Sequence, residues 1–173
     1  MLNKLIELCR TKCNIALYAN ENKTDMFYYG KILAVNSDFI AIFMFDEDGN
    51  EDGILVLPTH KIFRVDIGGS YEQKMDKLIV NKTVSLPTLT DGNLVEVILQ
   101  KALDDSSIVS VELIDSGYDD IVGFVKSIEN EICTFSLVDD YGKDDGEAFC
   151  NIIDVSQVTL SGKSELRRQK LHS

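Results

Sequence analysis

An internal repeat constrains the fold of this chain more than any other feature of its sequence. When the sequence is displaced by 93 residues, GKILAVNSDFIAIFMFDEDGNEDG (30–53) aligns without a gap with GFVKSIENEICTFSLVDDYGKDDG (123–146). The same register continues from residues 65–78 to residues 158–171. Ten of the 49 aligned pairs are identical, whereas unrelated sequences of this composition would share roughly three. The sequence therefore predicts two copies of one folding unit.

Each copy has the pattern of a helix, five short strands and a second helix. Apolar residues at helical spacing predict helices in LNKLIELC and NLVEVILQKAL, and short runs of alternating apolar residues predict five strands after each helix. A short polar helix should close each copy. In the first copy it is expected over Ser70 to Ile79, with Ser70 and Gln73 as a capping box, and in the second from Ser164 to the end.

These short, β-branched strands are poorly suited to a flat sheet. Bending the sheet into a small barrel buries one face on itself and removes most of the edge, and Gly30 and Gly123 mark where each second strand would bend. We therefore predict a mainly β fold of two tandem five-stranded small barrels, each preceded by a short helix and followed by a short polar helix. The first barrel should span residues 1–82 and the second residues 83–173.

This pattern resembles the Sm-like fold, duplicated in tandem. The first motif of that family is similar to Gly30-Lys31-Ile32 and again to Gly123-Phe124-Val125, each followed by alternating apolar residues and an acidic loop. The resemblance implies Sm-like barrels, whose RNA pocket uses an asparagine in the first motif and an arginine-glycine pair in the second. In this chain the position of the asparagine is occupied by Ile40 in the first copy and Cys133 in the second. The position of the arginine-glycine pair is occupied by Pro58-Thr59 and Asn151-Ile152. Neither copy keeps the RNA pocket.

Negative charge is concentrated in the second copy. The whole chain has a net charge of −12, and residues 91–162 carry sixteen Asp and Glu side chains against three Lys. A surface of this kind repels phosphate backbones and attracts basic partners. Four cations lie close to the end of the chain, namely Lys163, Arg167, Arg168 and Lys170.

Two acidic, glycine-containing segments raise the question of a metal site. DEDGNEDG (46–53) resembles the start of a calcium loop whose first position is Asp48. The twelfth position of that loop is Thr59 instead of a bidentate glutamate. Its copy, DDYGKDDG (139–146), has Tyr141 and Lys143 at the first and third positions of such a loop. We interpret both segments as turns between the third and fourth strands of each copy.

The remaining reactive residue types predict no enzyme and no cofactor. The four cysteines are expected to be reduced, and their spacing does not supply the four ligands of a zinc site. Cys133 and Cys150 align with apolar residues of the first copy, so we expect buried, unreactive thiols. His60 and His172 have no partner that the sequence identifies, and no nucleophile or phosphate-binding motif is present.

One strand differs between the copies in the residues of its outer face. In DFIAIFMF the aromatic residues Phe39, Phe43 and Phe45 face outward, whereas the aligned strand EICTFSLV has Ser136 at the position of Phe43. An outward aromatic stripe should be covered. Its cover is expected to be the other barrel, the helix at 91–103, or an interface with a partner or second copy.

From these patterns we expect a cytoplasmic, non-enzymatic protein-binding module. The opening MLNKLIELCRTK lacks the features of a signal peptide, and no apolar run is long enough to cross a bilayer. The acidic surface suits a basic protein partner, as in an inhibitor or immunity-type protein, and the first barrel is a possible site of homo-oligomer formation. The residues expected to take part in interaction are Phe39, Phe43, Phe45, Asp119, Asp120, Asp139, Asp140, Asp144 and Asp145.

Two other functions stay open at this point. An Sm-like RNA-binding regulator would use the more neutral first barrel or the basic tail from Lys163 to Lys170, although the acidic second copy makes nucleic acid the less favoured partner. An enzyme with a site assembled between the barrels is the third alternative, and the sequence names no residue for it.

Overall fold

A computed structural model describes residues 1–80, 82 and 84–173 of the chain. Within these residues the helices are α1 (Leu2–Thr11), α2 (Ser70–Ile79), α3 (Leu94–Asp105) and α4 (Lys163–His172). The strands are β1 (Ile15–Tyr18), β2 (Tyr28–Val35), β3 (Phe39–Phe45), β4 (Glu51–Pro58), β5 (Arg64–Asp66), β6 (Ile108–Leu113), β7 (Ile121–Glu129), β8 (Ile132–Val138), β9 (Asp144–Asn151) and β10 (Val155–Leu160). None of the helices in these residues combines the length and the apolar character needed to cross a membrane.

The fold is mainly β, as the sequence predicts. The described strands form one open antiparallel sheet in the order β5-β1-β2-β3-β4-β10-β6-β7-β8-β9. β5 and β9 are therefore the terminal strands of the sheet. The finer arrangement, in which each set of five strands closes into a barrel, stays a prediction.

The chain divides into two compact units. The first contains Met1–Gly53 and Leu57–Thr90, and the second contains Ile54–Val56 and Asp91–Ser173. In the first unit β1 pairs with β2 on one side and with β5 on the other. Its core consists of fully buried side chains from the strands and from α2, among them Ile15, Leu17, Ile32, Ile42 and Met75.

In the second unit β6 lies between β7 and β10, and β7, β8 and β9 continue the sheet. The helix α3 begins at Asn93, whose side-chain oxygen accepts a hydrogen bond from the Val95 amide at 3.0 Å. Ile54–Val56 pair with Leu160–Val158 on the other side of β10. The buried core of this unit includes Ile98, Leu99, Val111, Phe135 and Val158.

The two predicted bend glycines occupy the same place in their units. A Cβ atom on Gly30 would lie 1.9 Å from the Phe43 carbonyl oxygen, and one on Gly123 would lie 2.1 Å from the Ser136 carbonyl oxygen. Both strands also shift register just after the glycine, between Ile32 and Ala34 in β2 and between residues 125 and 127 in β7. Only glycine permits this close approach of two backbones.

The predicted capping box at Ser70 and Gln73 is wrong. The N-cap of α2 is Gly69, and the Gln73 side-chain amide donates to the Gly68 carbonyl oxygen at 2.9 Å. The helix is capped one residue earlier, so its third position is the buried Glu72, whose carboxylate lies beside Gly69. α4 begins in the same way, with Gly162 as N-cap and the buried Glu165 at its third position.

Candidate protein-interaction surface

The turn between β8 and β9 is organised by the carboxylate of Asp139. Its Oδ1 atom accepts hydrogen bonds from the Tyr141 amide at 2.9 Å and from the Lys143 amide at 2.8 Å. The Asp139 amide in turn donates to the Lys143 carbonyl oxygen at 2.9 Å. This half-buried aspartate therefore holds the turn and presents its neighbours Asp140, Asp144 and Asp145 to solvent.

The turn between β3 and β4 has the same hydrogen bonds. There Asp46 Oδ1 accepts from the Asp48 amide at 2.9 Å and from the Asn50 amide at 2.8 Å. The two segments that resemble half of a calcium loop are thus β-turns closed by their first aspartate. Among the described residues, no group of three or more His, Cys, Asp or Glu is placed to hold a metal ion.

The C-terminal helix α4 fixes the turn between β8 and β9 from one side. The Arg168 guanidinium forms an ion pair with Asp140, and the Arg168 side chain is 14% exposed whereas that of Asp140 is 77% exposed. His172 Nδ1 lies 2.9 Å from the Gly142 carbonyl oxygen and 3.9 Å from the Asp144 carboxylate. The sequence placed Arg168 in a basic tail and gave His172 no partner, and it connected neither residue with the acidic turn.

The second acidic pair lies in the loop between β6 and β7. Asp120 Oδ2 accepts hydrogen bonds from the Ser116 hydroxyl at 2.5 Å and from the Leu113 amide at 2.8 Å. These two hydrogen bonds, that of Ser116 first, hold the pKa of Asp120 below its ordinary value. Asp120 therefore organises its loop, while Asp119 is exposed beside it.

The sheet brings the predicted acidic residues to one end of the second unit. In an antiparallel meander the β6–β7 and β8–β9 connections lie at the same end of the sheet. The β7–β8 register pairs Gly123 with Leu137, so Asp120, which precedes β7, and Asp139 and Asp140, which follow β8, lie at this end of the sheet. We call this end, formed by the carboxylates of both loops, the acidic end. Its members are Asp119, Asp120, Asp139, Asp140, Asp144 and Asp145.

The predicted aromatic stripe lies elsewhere, on β3. Phe43 and Phe45 are buried and their ring centroids are 5.5 Å apart, while Phe39 is half-buried. The rings of Phe43 and Phe45 are thus covered within the chain. They offer no open surface to a partner in this structure and do not belong to the acidic end.

Sequence reasoning missed a set of exposed apolar side chains in the second unit. Phe149 on β9 is 76% exposed, and Tyr141, Ile153 and Ile132 are exposed as well. Phe149 aligns with Val56 of the first copy, which is fully buried. The sequence analysis assigned no role to Phe149, and the signal that could have identified it was the change from ILVL at residues 54–57 to EAFC at residues 147–150.

The cysteine pair of the second unit is not activated. Cys133 and Cys150 are directly opposite each other on β8 and β9. Burial raises the pKa of the Cys133 thiol to about 12, and burial also raises the pKa of the Cys150 thiol. Both side chains are protonated thiols at neutral pH, so the structure gives neither of them the thiolate character that a nucleophile needs.

Comparison of the chain with protein-family models, with curated proteins and with solved structures finds no match.

Proposed function

We propose that this chain is a non-enzymatic protein-binding module of two Sm-like small barrels, and that its acidic end binds a basic protein surface. The observation that carries the proposal is the convergence of two acidic loops at one end of a unit in which residues 91–162 hold sixteen acidic side chains and three lysines. A surface with a high density of negative charge increases the association rate with a positively charged partner.

The hydrogen bonds of the acidic end support a binding role. Hydrogen bonds to Asp139 and Asp120 hold the backbones of the two loops. The backbone beside the exposed carboxylates of Asp144 and Asp145 is therefore already ordered before a partner binds. Less conformational entropy is then lost on association. This arrangement is compatible with an inhibitor or immunity-type protein that covers a basic surface.

The alternative of RNA binding through the basic tail has less support. Arg168 is largely buried and forms an ion pair with Asp140, so one of the four cations of the tail already has an acidic partner. A phosphate backbone that approached the tail would also meet the acidic end. We therefore treat RNA binding as an outcome of the test below.

The test is binding of a fluorescent oligolysine peptide, measured by anisotropy at ionic strengths of about 0.02 M and about 0.2 M. The variant Asp144→Asn/Asp145→Asn removes two exposed charges from the acidic end. We expect it to weaken binding by about threefold to tenfold at the lower ionic strength, because each exposed ion pair contributes about 0.2–1 kcal/mol.

The matched control is Glu129→Gln/Glu131→Gln, which removes two charges from the β7–β8 turn at the opposite end of the same unit. Equal weakening by both variants would show that net charge alone attracts the peptide, and the proposed site would be rejected. Preferential binding of single-stranded RNA, lost in Arg167→Ala/Arg168→Ala, would favour the alternative function.

A further inference from the structure

An apolar surface is exposed on the sheet of the second unit, on the face that points away from its core. Phe149 on β9 lies opposite Thr134 on β8, and Ile132 on β8 lies two residues from Thr134. Because side chains alternate along a strand, Phe149 and Ile132 share one face and are diagonal neighbours, about 7–8 Å apart. Both are exposed, whereas Cys133 on the opposite face is fully buried. We call the exposed surface around Phe149 and Ile132 the Phe149 face.

The corresponding face of the first copy is covered within the chain. Val56, which aligns with Phe149, is fully buried, and Phe39, which aligns with Ile132, is half-buried. The same strands thus carry apolar side chains on this face in both copies, but only in the second copy are those side chains largely exposed to solvent. Exposed apolar patches that are rimmed by polar residues mark interaction sites.

The charges beside the Phe149 face favour one kind of occupant. β8 and β9 contain the three carboxylates Asp144, Asp145 and Glu147 and no Lys or Arg. The cation of the neighbouring strand β7, Lys126, forms an ion pair with Glu147. A second copy of the chain would bring the same carboxylates against this surface, whereas a segment that carries lysine or arginine would meet charges of the opposite sign.

We propose that the Phe149 face binds an apolar side chain of the same basic partner whose lysine or arginine residues bind the acidic end. This inference rests on the proposed function, since it adds a second point of contact for that partner. Asp145 of the acidic end and Phe149 are four residues apart on β9, which is at most about 13 Å along the strand. An extended partner segment spans this distance in four residues. The partner is therefore a basic segment with an apolar residue about four positions from its nearest cation.

The test compares two fluorescent peptides by anisotropy at an ionic strength of about 0.02 M. The leucine peptide is Lys-Lys-Lys-Lys-Gly-Ser-Gly-Leu, the serine peptide has serine in place of the leucine, and both have an amidated C-terminus. We expect the leucine peptide to bind the wild-type chain about threefold to tenfold more tightly, because contact with the Phe149 face removes part of the leucine side chain from water. Equal affinity of the two peptides would overturn the proposal.

A pair of variants shows whether the gain in affinity depends on the Phe149 face. Phe149→Ser should abolish the gain and leave the affinity of the serine peptide unchanged. The matched control is Tyr118→Ser, which removes an aromatic ring of nearly the same exposure from the loop between β6 and β7 and should keep the gain. Loss of the gain in both variants, or in neither, would overturn the proposal.

Failure of this inference is distinguishable from failure of the proposed function. If the serine peptide binds and is weakened by Asp144→Asn/Asp145→Asn more than by Glu129→Gln/Glu131→Gln, the proposed function holds, and absence of the leucine gain then overturns this inference alone. If the serine peptide does not bind, or both double variants weaken it equally, the proposed function fails and this inference fails with it.

A second copy of the chain is the other occupant that the test must exclude. The mass of the wild-type chain in solution, measured by analytical ultracentrifugation, should stay that of one chain at the concentrations of the peptide assay. Self-association that Phe149→Ser abolishes would assign the Phe149 face to a second copy and would overturn the proposal.

Discussion

β4 and β9 occupy corresponding places in the two copies and have opposite surroundings. From Gly53 to Pro58 every residue of β4 is buried, whereas most of β9 is exposed. Part of β4, Ile54–Val56, pairs with β10, while β9 is a terminal strand. The sequence follows this difference, since ILVL in the first copy becomes EAFC in the second. Corresponding strands of the two copies thus have the same order along the chain. Their side chains differ because β4 has a neighbouring strand on an edge that β9 leaves open.

The largest effect is expected where the two copies agree most closely. Gly30→Ala and Gly123→Ala each place a Cβ atom within 1.9 or 2.1 Å of a carbonyl oxygen on the adjacent strand. We expect each to lower the free energy of unfolding by more than about 4 kcal/mol, measured by urea unfolding. The control is Gly146→Ala, which has open space but a φ of +85° and should lose only about 1–2 kcal/mol. If either Gly30→Ala or Gly123→Ala lowered the free energy of unfolding by no more than the control does, the close approach of the two backbones at both glycines would be contradicted.

The next effect contrasts β4 and β9 directly. Val56→Ala removes two methyl groups from a fully buried site and should lower the free energy of unfolding by about 2–3 kcal/mol. Phe149→Ala removes a ring that is 76% exposed, so its effect should stay within about 0.5 kcal/mol. Both free energies of unfolding are to be measured by urea unfolding at the same protein concentration. Similar losses would show that β9 is covered like β4.

A smaller effect is expected at Arg168, which aligns with the buried Met75 of the first copy. Arg168→Ala should lower the free energy of unfolding by about 1 kcal/mol, mainly through lost packing of its stem. Arg168→Met keeps most of that packing and loses the ion pair with the exposed Asp140 and a long hydrogen bond to the Ser164 hydroxyl, so its loss should be under about 0.5 kcal/mol. Equal losses in the two variants would assign the effect to the ion pair.

The smallest effect is a dependence of stability on pH. Burial raises the pKa of Glu165 above its ordinary value of 4.5, against the opposing hydrogen bond from Ser110. The folded chain therefore holds this proton to a higher pH than the unfolded chain. The stability that this protonated carboxyl contributes is present below about pH 4.5 and is lost as the pH rises through the raised pKa. Glu165→Gln should unfold with a flatter pH profile above about pH 4.5, and an unchanged slope would contradict this assignment.

The sequence predicted a mainly β fold and named the carboxylates of the acidic end, but it did not predict that they lie at one end of the sheet or which strands have a free edge. Periodicity reveals the elements because strands and helices repeat their burial at different spacings. Edge exposure depends on long-range pairing, and a local window around Phe149 or Val56 does not show which strand lies beside it. Gly69 was missed as an N-cap because Ser70 is the commoner capping residue. The contacts of Arg168 and His172 with the β8–β9 turn depend on how α4 returns to the sheet, which no local pattern contains.

β9 is an open edge of the sheet, whereas β4 is covered by β10, and hydrogen–deuterium exchange tests this difference most directly. In dilute solution, the amides of residues 147–151 should exchange markedly faster than those of residues 54–58, because β9 is a terminal strand of the sheet and has a strand neighbour on one side only among the described residues. Equal protection of the two segments in dilute solution would contradict this difference.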